Sequence, residues 1–584
     1  MTIQVVHELP TIESRVVGID IETSSTYGNK ISNPFQDRII SIQVYDGQDV
    51  YIIEPRGNMH SVLPLVNNPE IKKVGHGLIF DLSFLIQQLG ADPVNVYDTL
   101  ILDRMIYAGM KYQHGLEDSL ARIGVFITKD TRSQFASHRG DLTAEQIQYC
   151  AGDVEHLLKL REVQVKEICS TGMGRVAAIE NKAVLPFADM SLAGVRFDSE
   201  LWEEDKRWIE KKLNEIKREI APLGGFTIIQ EGFMGEVELD INLNSTKQLP
   251  IAFERLGIPL KTTAEDVLEE YIQNHPNTSQ SQFLSKLLEW KKWSKMLGWK
   301  FIDEVNPVTG RIHASWNQLQ AQTGRTSCKD PNLQQIPKPT GVGPNFRHLF
   351  APPEGWVFVI ADYAQQEFRI IGQFTGDANL IKACNAGDVY LSVAEMVFNQ
   401  TLEKGSKERY DIKTSALGWA YGAGANTLAN SLGRSVEDAT KFKQQLSVAF
   451  PKVRAYSEDQ KRKVIQQGYT TTLMGRRRYF PDAKKLKPEE YWKVAKEAAN
   501  SPIQGTAADM GKLAMIKFRE YYWKQKQARP MIYVHDEFVV GAPIEDAEET
   551  LYNLVGAMES AAHEICPDVI IPAESGIAKT WDKV

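Results

Sequence analysis

With 584 residues and 43% hydrophobic content, the chain exceeds what one hydrophobic core organises, so several globular domains are expected and an intrinsically disordered chain is excluded. No apolar run reaches membrane-spanning length, the start MTIQVVHELPTIES has neither a signal-peptide nor a transit-peptide pattern, and the five cysteines are scattered without C-x-x-C spacing, which argues against structural zinc and for a reducing, cytoplasmic location. The net charge of −8 excludes a uniformly basic chain but leaves room for a local basic region.

In chain order, RVVGIDIETSS and DRIISIQVYDGQDVYIIEP alternate β-branched residues as strands do. GLIFDLSFLIQQLG reads as a helix, and TAEQIQYCAGDVEHLLKLREVQVKEI as one continuous helix opened by a capping box of Thr143 and Gln146. These elements form a compact α/β unit ending near residue 175. Two charged amphipathic helices follow, SELWEEDKRWIEKKLNEIKREI and SQFLSKLLEWKKWSKMLGWKFIDEV, a pair long enough to make a projecting arm. Next come the strand WVFVIADYA, a mostly helical stretch from about 378 to 500, and a strand pair around 531 to 541. Residues 401–500 hold 20 Lys and Arg against 11 Asp and Glu, whereas the rest of the chain holds 47 against 64. Lys461, Arg462, Lys463, Arg476, Arg477 and Arg478 are interleaved there with Tyr469, Tyr479 and Phe480, as in an electrostatic footprint for nucleic acid.

Asp20 and Glu22 are separated by one residue on a strand, so both side chains point to one face. Two acids ~4 Å apart at an effective dielectric of ~20 repel by roughly 4 kcal/mol, which a divalent cation reverses. Asp81 and Asp153 sit in otherwise apolar helical stretches, and Tyr149 lies four residues before Asp153 on the same helix face. Four acids and a tyrosine are the set that holds two divalent metals and orients a water against a phosphodiester. The stretch resembles the 3′–5′ exonuclease domain of the DEDD superfamily, tyrosine subtype. That resemblance implies Asp20, Glu22, Asp81 and Asp153 as metal ligands, with Tyr149 as the fifth catalytic residue. Family members usually carry Asn four residues before the second-motif Asp; Gly77 stands there instead, which predicts a weaker grip on the strand.

Asp362 ends an apolar strand, and in MIYVHDEFVV Asp536 ends another after His535. Acids that far apart in sequence meet only if their strands are neighbours, and a pair of metal ions about 3.5–4 Å apart is a reason to bring them together. With RYDIKTSALGWAYGAG between them, these stretches closely resemble the family A DNA polymerases, the DNA polymerase I family, over essentially the whole chain from about residue 15. The resemblance implies Asp362, Tyr363 and Asp536 as metal positions, and Glu537 as a catalytic acid that is solvated and less essential. It implies Arg409, Lys413, Leu417, Tyr421, Glu367, Gln365 and His535 around the incoming dNTP, with Lys413 also catalytic and Glu367 excluding a ribose 2′-hydroxyl. Arg325, Asn500, Gln504, Lys496, Arg476 and Arg477 are its implied DNA contacts. Leu417 stands where the family places Phe or Tyr, Tyr390 where D-I-H is usual, and Lys496 where Arg is common.

The fold class implied is α/β multidomain: a ribonuclease H-like 3′–5′ exonuclease domain over 1–175, then a right-hand polymerase domain over 176–584. Within the latter the thumb is expected at about 200–310, the palm at about 176–199 with 311–377 and 500–584, and the fingers at about 378–499. The function implied is template-directed 5′–3′ DNA synthesis with proofreading, using Mg²⁺, two per active site, with Mn²⁺ as a substitute. Primer–template DNA and dNTPs are the expected partners. Replisome proteins such as a helicase-primase or a single-strand-binding protein are of the kind expected, though none is identifiable from the residues. The resemblance begins at the exonuclease-like unit, so no 5′ nuclease is expected, and the pattern is phage-like, which would make the location a host cytoplasm. Two other readings stay open. A 3′–5′ exonuclease with a C-terminal nucleic-acid clamp, in the manner of ribonuclease D, leaves Asp362, Asp536 and the Arg409, Lys413 and Tyr421 helix without a use. A non-catalytic scaffold predicts loss of a metal ligand, and none is lost.

Overall fold

The computed structural model describes residues 1–25, 33–127, 134–138, 140–232, 235–339 and 341–582. The amino-terminal unit is built on a six-stranded mixed sheet in the order Ile3–Val6, Val50–Ile53, Ile39–Tyr45, Val16–Thr23, Lys72–Gly75, Val96–Asp98. Val16–Thr23 lies inside the sheet, antiparallel to Ile39–Tyr45 and parallel to Lys72–Gly75. Helices cover the sheet, and Val17, Ile19 and Ile21 are all buried, which is why the strand reads as apolar except at Asp20 and Glu22.

The expected capping box is present: the Gln146 amide N–H donates to Thr143 Oγ1 at 3.2 Å, and the Thr143 N–H to Gln146 Oε1 at 3.0 Å. The single long helix expected after it is two, Ala144–Val154 and Leu157–Thr171. No Pro marks the break, and Gly152 still lies inside the last turn of the first helix. The Val154 carbonyl lies 2.9 Å from where a Cβ on Gly18 would stand, so the first helix ends where its backbone meets the central strand.

The helix Gly174–Ala193 leads into the second unit, where Ser199–Gly224 and Ser279–Leu297 pack along each other as the expected arm. Ile209, Leu213, Ile216 and Ile220 form the buried stripe, at the spacing of one helix face, and Trp208 meets Trp293 edge-on at 4.9 Å. The Asp198 carboxylate caps the first helix through the Leu201 N–H at 3.0 Å.

The second unit centres on a four-stranded antiparallel sheet in the order Arg529–Val534, Glu537–Pro543, Trp356–Tyr363, Ala573–Ala578. The helices Trp492–Tyr521 and Ala547–Ile565 pack together, and the latter lies against the sheet. Val534 and Glu537 are joined by the two-residue turn His535–Asp536, with His535 at φ 60°. The apolar stretch with two acids in its middle is therefore a hairpin, and its acids lie at the strand junction. From 378 to 467 every element is a helix, and the small hairpin Tyr469–Thr471 and Arg477–Tyr479 follows. That hairpin touches the first unit: the Tyr479 N–H donates to the Ala108 carbonyl at 2.8 Å, and Arg477 to that of Thr171 at 2.6 Å.

Two candidate active sites

In the first unit the strand geometry sends Asp20 and Glu22 to one face, and the helix Ala144–Val154 delivers Asp153 to them. One ligand oxygen from each of the three lies within 4.8 Å of the others. Asp81, in the first turn of the helix Leu78–Leu89, is buried, and its Oδ1 accepts the Ile21 N–H at 3.1 Å. That bond fixes the carboxyl beside the strand, between the backbone positions of Asp20 and Glu22. Tyr149 sits one turn before Asp153, with its ring 5.6 Å from Phe135. All five residues line one cleft of about 1230 Å³. Carboxylate oxygens in such density are the donor set of a hard divalent cation.

Asp98 was not singled out in the sequence, although D-T-L is a cap pattern that could have revealed it. Its carboxylate accepts four backbone N–H groups, from Gly77 (3.0 Å), Leu78 (2.7 Å), Leu100 (2.9 Å) and Ile101 (3.2 Å), so it ties together the starts of two helices under the cleft. Gly77, at φ 89°, starts the helix that carries Asp81 from the left-handed region, which glycine enters without strain.

In the second unit Asp362 pairs in register with Glu537 on one side and Glu574 on the other, and Asp536 stands in the adjacent hairpin turn. Burial, then the neighbouring Asp536 carboxylate, push Asp362 up to about 8, and Lys338 at 3.8 Å offsets this only in part. Burial raises Asp536 as well. Asp362 Oδ1 is buried without a hydrogen-bond partner among the described residues. Two mutually repelling acids with an unsatisfied oxygen fit a divalent cation better than they fit each other.

The two acids line a cleft of about 640 Å³ with Arg325, Lys338, Gln365, Glu367, Arg409, Lys413, Leu417 and His535. Arg409 and the exposed Lys413 are four residues apart on the helix Lys407–Ala420, capped by Ser406. Arg409 Nε donates to Asp388 Oδ2 at 3.0 Å. Glu367 accepts from Arg325 Nη2 at 2.6 Å and from the Tyr421 hydroxyl at 2.8 Å, which brings three expected residues into one contact. Gln365 is held by neighbours, its Oε1 accepting from Arg369 Nη2 at 2.9 Å. Burial pushes His535 below the ordinary imidazole value. Lys496, Asn500, Gln504 and Ala507 recur at helical spacing along Trp492–Tyr521, and Ala507 lines the cleft, so the stripe leads into it.

Two expectations are corrected. Glu537 is not solvated: it is buried, accepts from Arg347 Nη1 at 2.9 and 3.2 Å and from Trp581 Nε1 at 2.8 Å, and the Arg347 guanidinium stacks 4.2 Å over the Trp581 ring. A carboxylate so engaged in the core is an anchor for the hairpin and not a cleft ligand. Arg476 is 2% exposed and bound to Glu180 and Asp509, so it offers no surface to DNA. Arg477, beside it, is half-buried, bonded to Thr171 and stacked 4.4 Å over Tyr469, with part of its surface still open. The Tyr363 hydroxyl donates to the Met558 carbonyl at 2.8 Å, which holds its side chain in the core, while the residue itself still lines the cleft beside Asp362.

Glu537→Gln leaves the buried Arg347 without a counter-charge. It is expected to cost about 3–5 kcal/mol, read as a lower denaturant midpoint, because an uncompensated buried charge loses more than the pair had gained. An unchanged midpoint would mean that the hydrogen bonds alone hold the hairpin.

The fold and its two acidic clefts define a class: a 3′–5′ exonuclease domain joined to a polymerase domain. A family model described as 3′–5′ exonuclease matches residues 3–168, and one described as DNA polymerase family A matches residues 206–583. The chain belongs to DNA polymerase family A. It is similar to the thermostable DNA polymerase I of Thermus thermophilus, 32% identical over 411 residues, covering 68% of this chain and 46% of that one. It is also similar to the DNA polymerase I of Pseudomonas aeruginosa, 28% identical over 614 residues, covering 98% and 64%. In its matched part the chain spans about half the length of the first of these relatives. The structure superposes on the POL domain of Pol1 from M. smegmatis, solved in complex with DNA primer–template and dNTP, with a TM-score of 0.80 and 25% identity over 97% of this chain and 95% of that one. No helix among the described residues is long and apolar enough to cross a membrane.

Proposed function

We propose that the chain is a DNA-dependent DNA polymerase that extends a primer in the second cleft and shortens it from the 3′ end in the first. The observation that carries this reading is the meeting of Asp362, on its strand, with Asp536, in the turn that opens the neighbouring strand, in one cleft with a helix that presents Arg409 and Lys413. Divalent cations, taken as Mg²⁺ with Mn²⁺ as a substitute, would be held by Asp362 and Asp536 in one cleft and by Asp20, Glu22, Asp81 and Asp153 in the other, where they supply charge neutralisation and a more acidic attacking oxygen. Lys413 and Arg409 hold the triphosphate, Arg409 exchanging Asp388 for phosphate. Glu367 stands where a ribose 2′-hydroxyl would intrude. Asn500 and Gln504 reach minor-groove acceptors that every correct pair shares, so they check geometry without reading sequence. Tyr149 orients the water of the shortening reaction. In this reading residues 1–175 are the proofreading domain, the arm of about 200–310 is the thumb, about 378–499 the fingers, and the rest of 176–584 the palm.

The test is a primer-extension gel on a 5′-labelled primer–template with Mg²⁺, with and without the four dNTPs, for wild type, Asp362→Ala and Asp20→Ala. Extension lost only in the first variant and shortening lost only in the second supports two separate sites. Wild type that shortens but never extends would hand the chain to the nuclease reading.

Leu417 packs against the core but offers no ring and no hydroxyl to a sugar. Leu417→Tyr is expected to improve the use of dideoxynucleotides relative to dNTPs by about tenfold, since one well-placed side-chain contact is worth that much discrimination. Steady-state kcat/KM ratios measure it, and an equal ratio in the two proteins removes Leu417 from sugar positioning.

A further inference from the structure

We infer that Gln322, a residue of the second unit, grips the single strand in the nuclease cleft through its side-chain amide. The inference rests on the nuclease reading of that cleft. Leu319, Gln320, Ala321 and Gln322 form part of its wall, although they lie well over a hundred residues beyond the carboxylates' own unit. Their position is fixed from several sides. Gln318 Nε2 donates to the Glu180 carbonyl at 2.7 Å, Arg104 Nη1 to the Leu319 carbonyl at 3.2 Å, and Lys512 Nζ to the Gly324 carbonyl at 2.9 Å. Glu180 and Lys512 are both fully buried, so the segment hangs from the core and is not a free loop.

Gln322 itself is exposed, and Arg478 Nη2 donates to its Oε1 at 3.0 Å. Arg478 is held in turn by Ser501 Oγ at 2.7 Å and by Glu497. A guanidinium only donates, so the amide oxygen must be the atom facing it. The Gln322 NH₂ group is thereby directed away from Arg478, as an oriented and uncharged donor on a cleft wall. Such a donor suits phosphodiester oxygens and does not distinguish bases, as a nuclease that accepts any 3′ end requires. Arg325, three residues further on, lines the other cleft, at most about 11 Å of chain away. Gln322 therefore lies on the stretch of wall that runs from one cleft toward the other.

The experiment uses the full chain with Mg²⁺ and a 5′-labelled single-stranded oligonucleotide, and compares wild type with Gln322→Ala and Gln322→Glu. Glutamate keeps the shape and the bond to Arg478 but turns an oxygen toward the strand phosphates. If Gln322 grips the strand, KM rises about fivefold in the alanine variant and at least about tenfold in the glutamate variant, with kcat within about twofold in both. If Gln322 only braces Arg478, glutamate matches wild type while alanine is impaired, and the inference is overturned. It is overturned equally if neither KM moves while wild type shortens the strand. Wild type that never shortens it removes the nuclease reading, and the inference with it. Unfolding midpoints of the three proteins separate a lost contact from a damaged fold.

Discussion

Asp362→Ala is expected to lower primer extension on the order of 10³-fold or more while 3′ shortening persists and the metal-free protein becomes more resistant to heat. The combination follows from the environment of this carboxyl. Burial and the adjacent Asp536 push Asp362 up to about 8, so the fold holds the two acids together at a cost. Sites that store such repulsion are poised for a ligand that relieves it, and their removal tends to stabilise the protein that lost them. Alanine takes away one of the repelling acids together with its unsatisfied buried Oδ1, so the apo protein gains stability as it loses the site. The first cleft shares no carboxylate with this one, and so has no reason to change. The measurements are single-nucleotide extension under single-turnover conditions and calorimetry in chelator. A variant that loses both activities and melts earlier would show instead that Asp362 supports the fold.

What could be read from the sequence depended on the range of the cause. Asp20 and Glu22 were legible because a strand has a period of two, and Tyr149 with Asp153 because a helix turn spans four residues. Asp362 and Asp536 were legible because an acid ending an apolar strand is costly unless it has a purpose. The break between Val154 and Leu157 was not, since no local signal marks it and what meets the Val154 carbonyl there is Gly18 of a distant strand. Nor was the burial of Glu537, whose partners Arg347 and Trp581 lie 190 and 44 residues away. In each of these cases the deciding neighbour comes from another part of the chain, and no local pattern encodes it. The basic run around Arg476 misled for the same reason: composition gives the sign of a charge, but not whether it faces water.

Arg476→Ala is expected to destabilise the fold by about 3–5 kcal/mol and to leave the salt dependence of primer–template binding unchanged. Arg476 Nε donates to Asp509 Oδ1 at 2.9 Å and its Nη2 to the same oxygen at 2.6 Å, and Nη2 also pairs with Glu180. Lys512 Nζ completes the group by donating to Glu180 Oε1 at 2.6 Å. All four are essentially excluded from solvent, and two cations balance two carboxylates. Burial works to raise Glu180, but Lys512 and Arg476 outweigh it and hold the acid below its usual value, while burial pushes Lys512 down to about 8. Removing Arg476 leaves one lysine, already easy to deprotonate, to neutralise two buried acids, which is the circumstance in which breaking a buried pair is most destructive. A lysine bound to phosphate would behave differently: its loss weakens DNA binding at every sequence and lowers the salt slope by about 1. Denaturant midpoints beside binding titrations at several salt concentrations therefore decide between anchor and phosphate contact. The same network bonds Gly324 and, through Glu180, Gln318, so Arg476→Ala is also expected to loosen the segment between the two clefts and to impair extension and shortening together, unlike any substitution confined to one cleft.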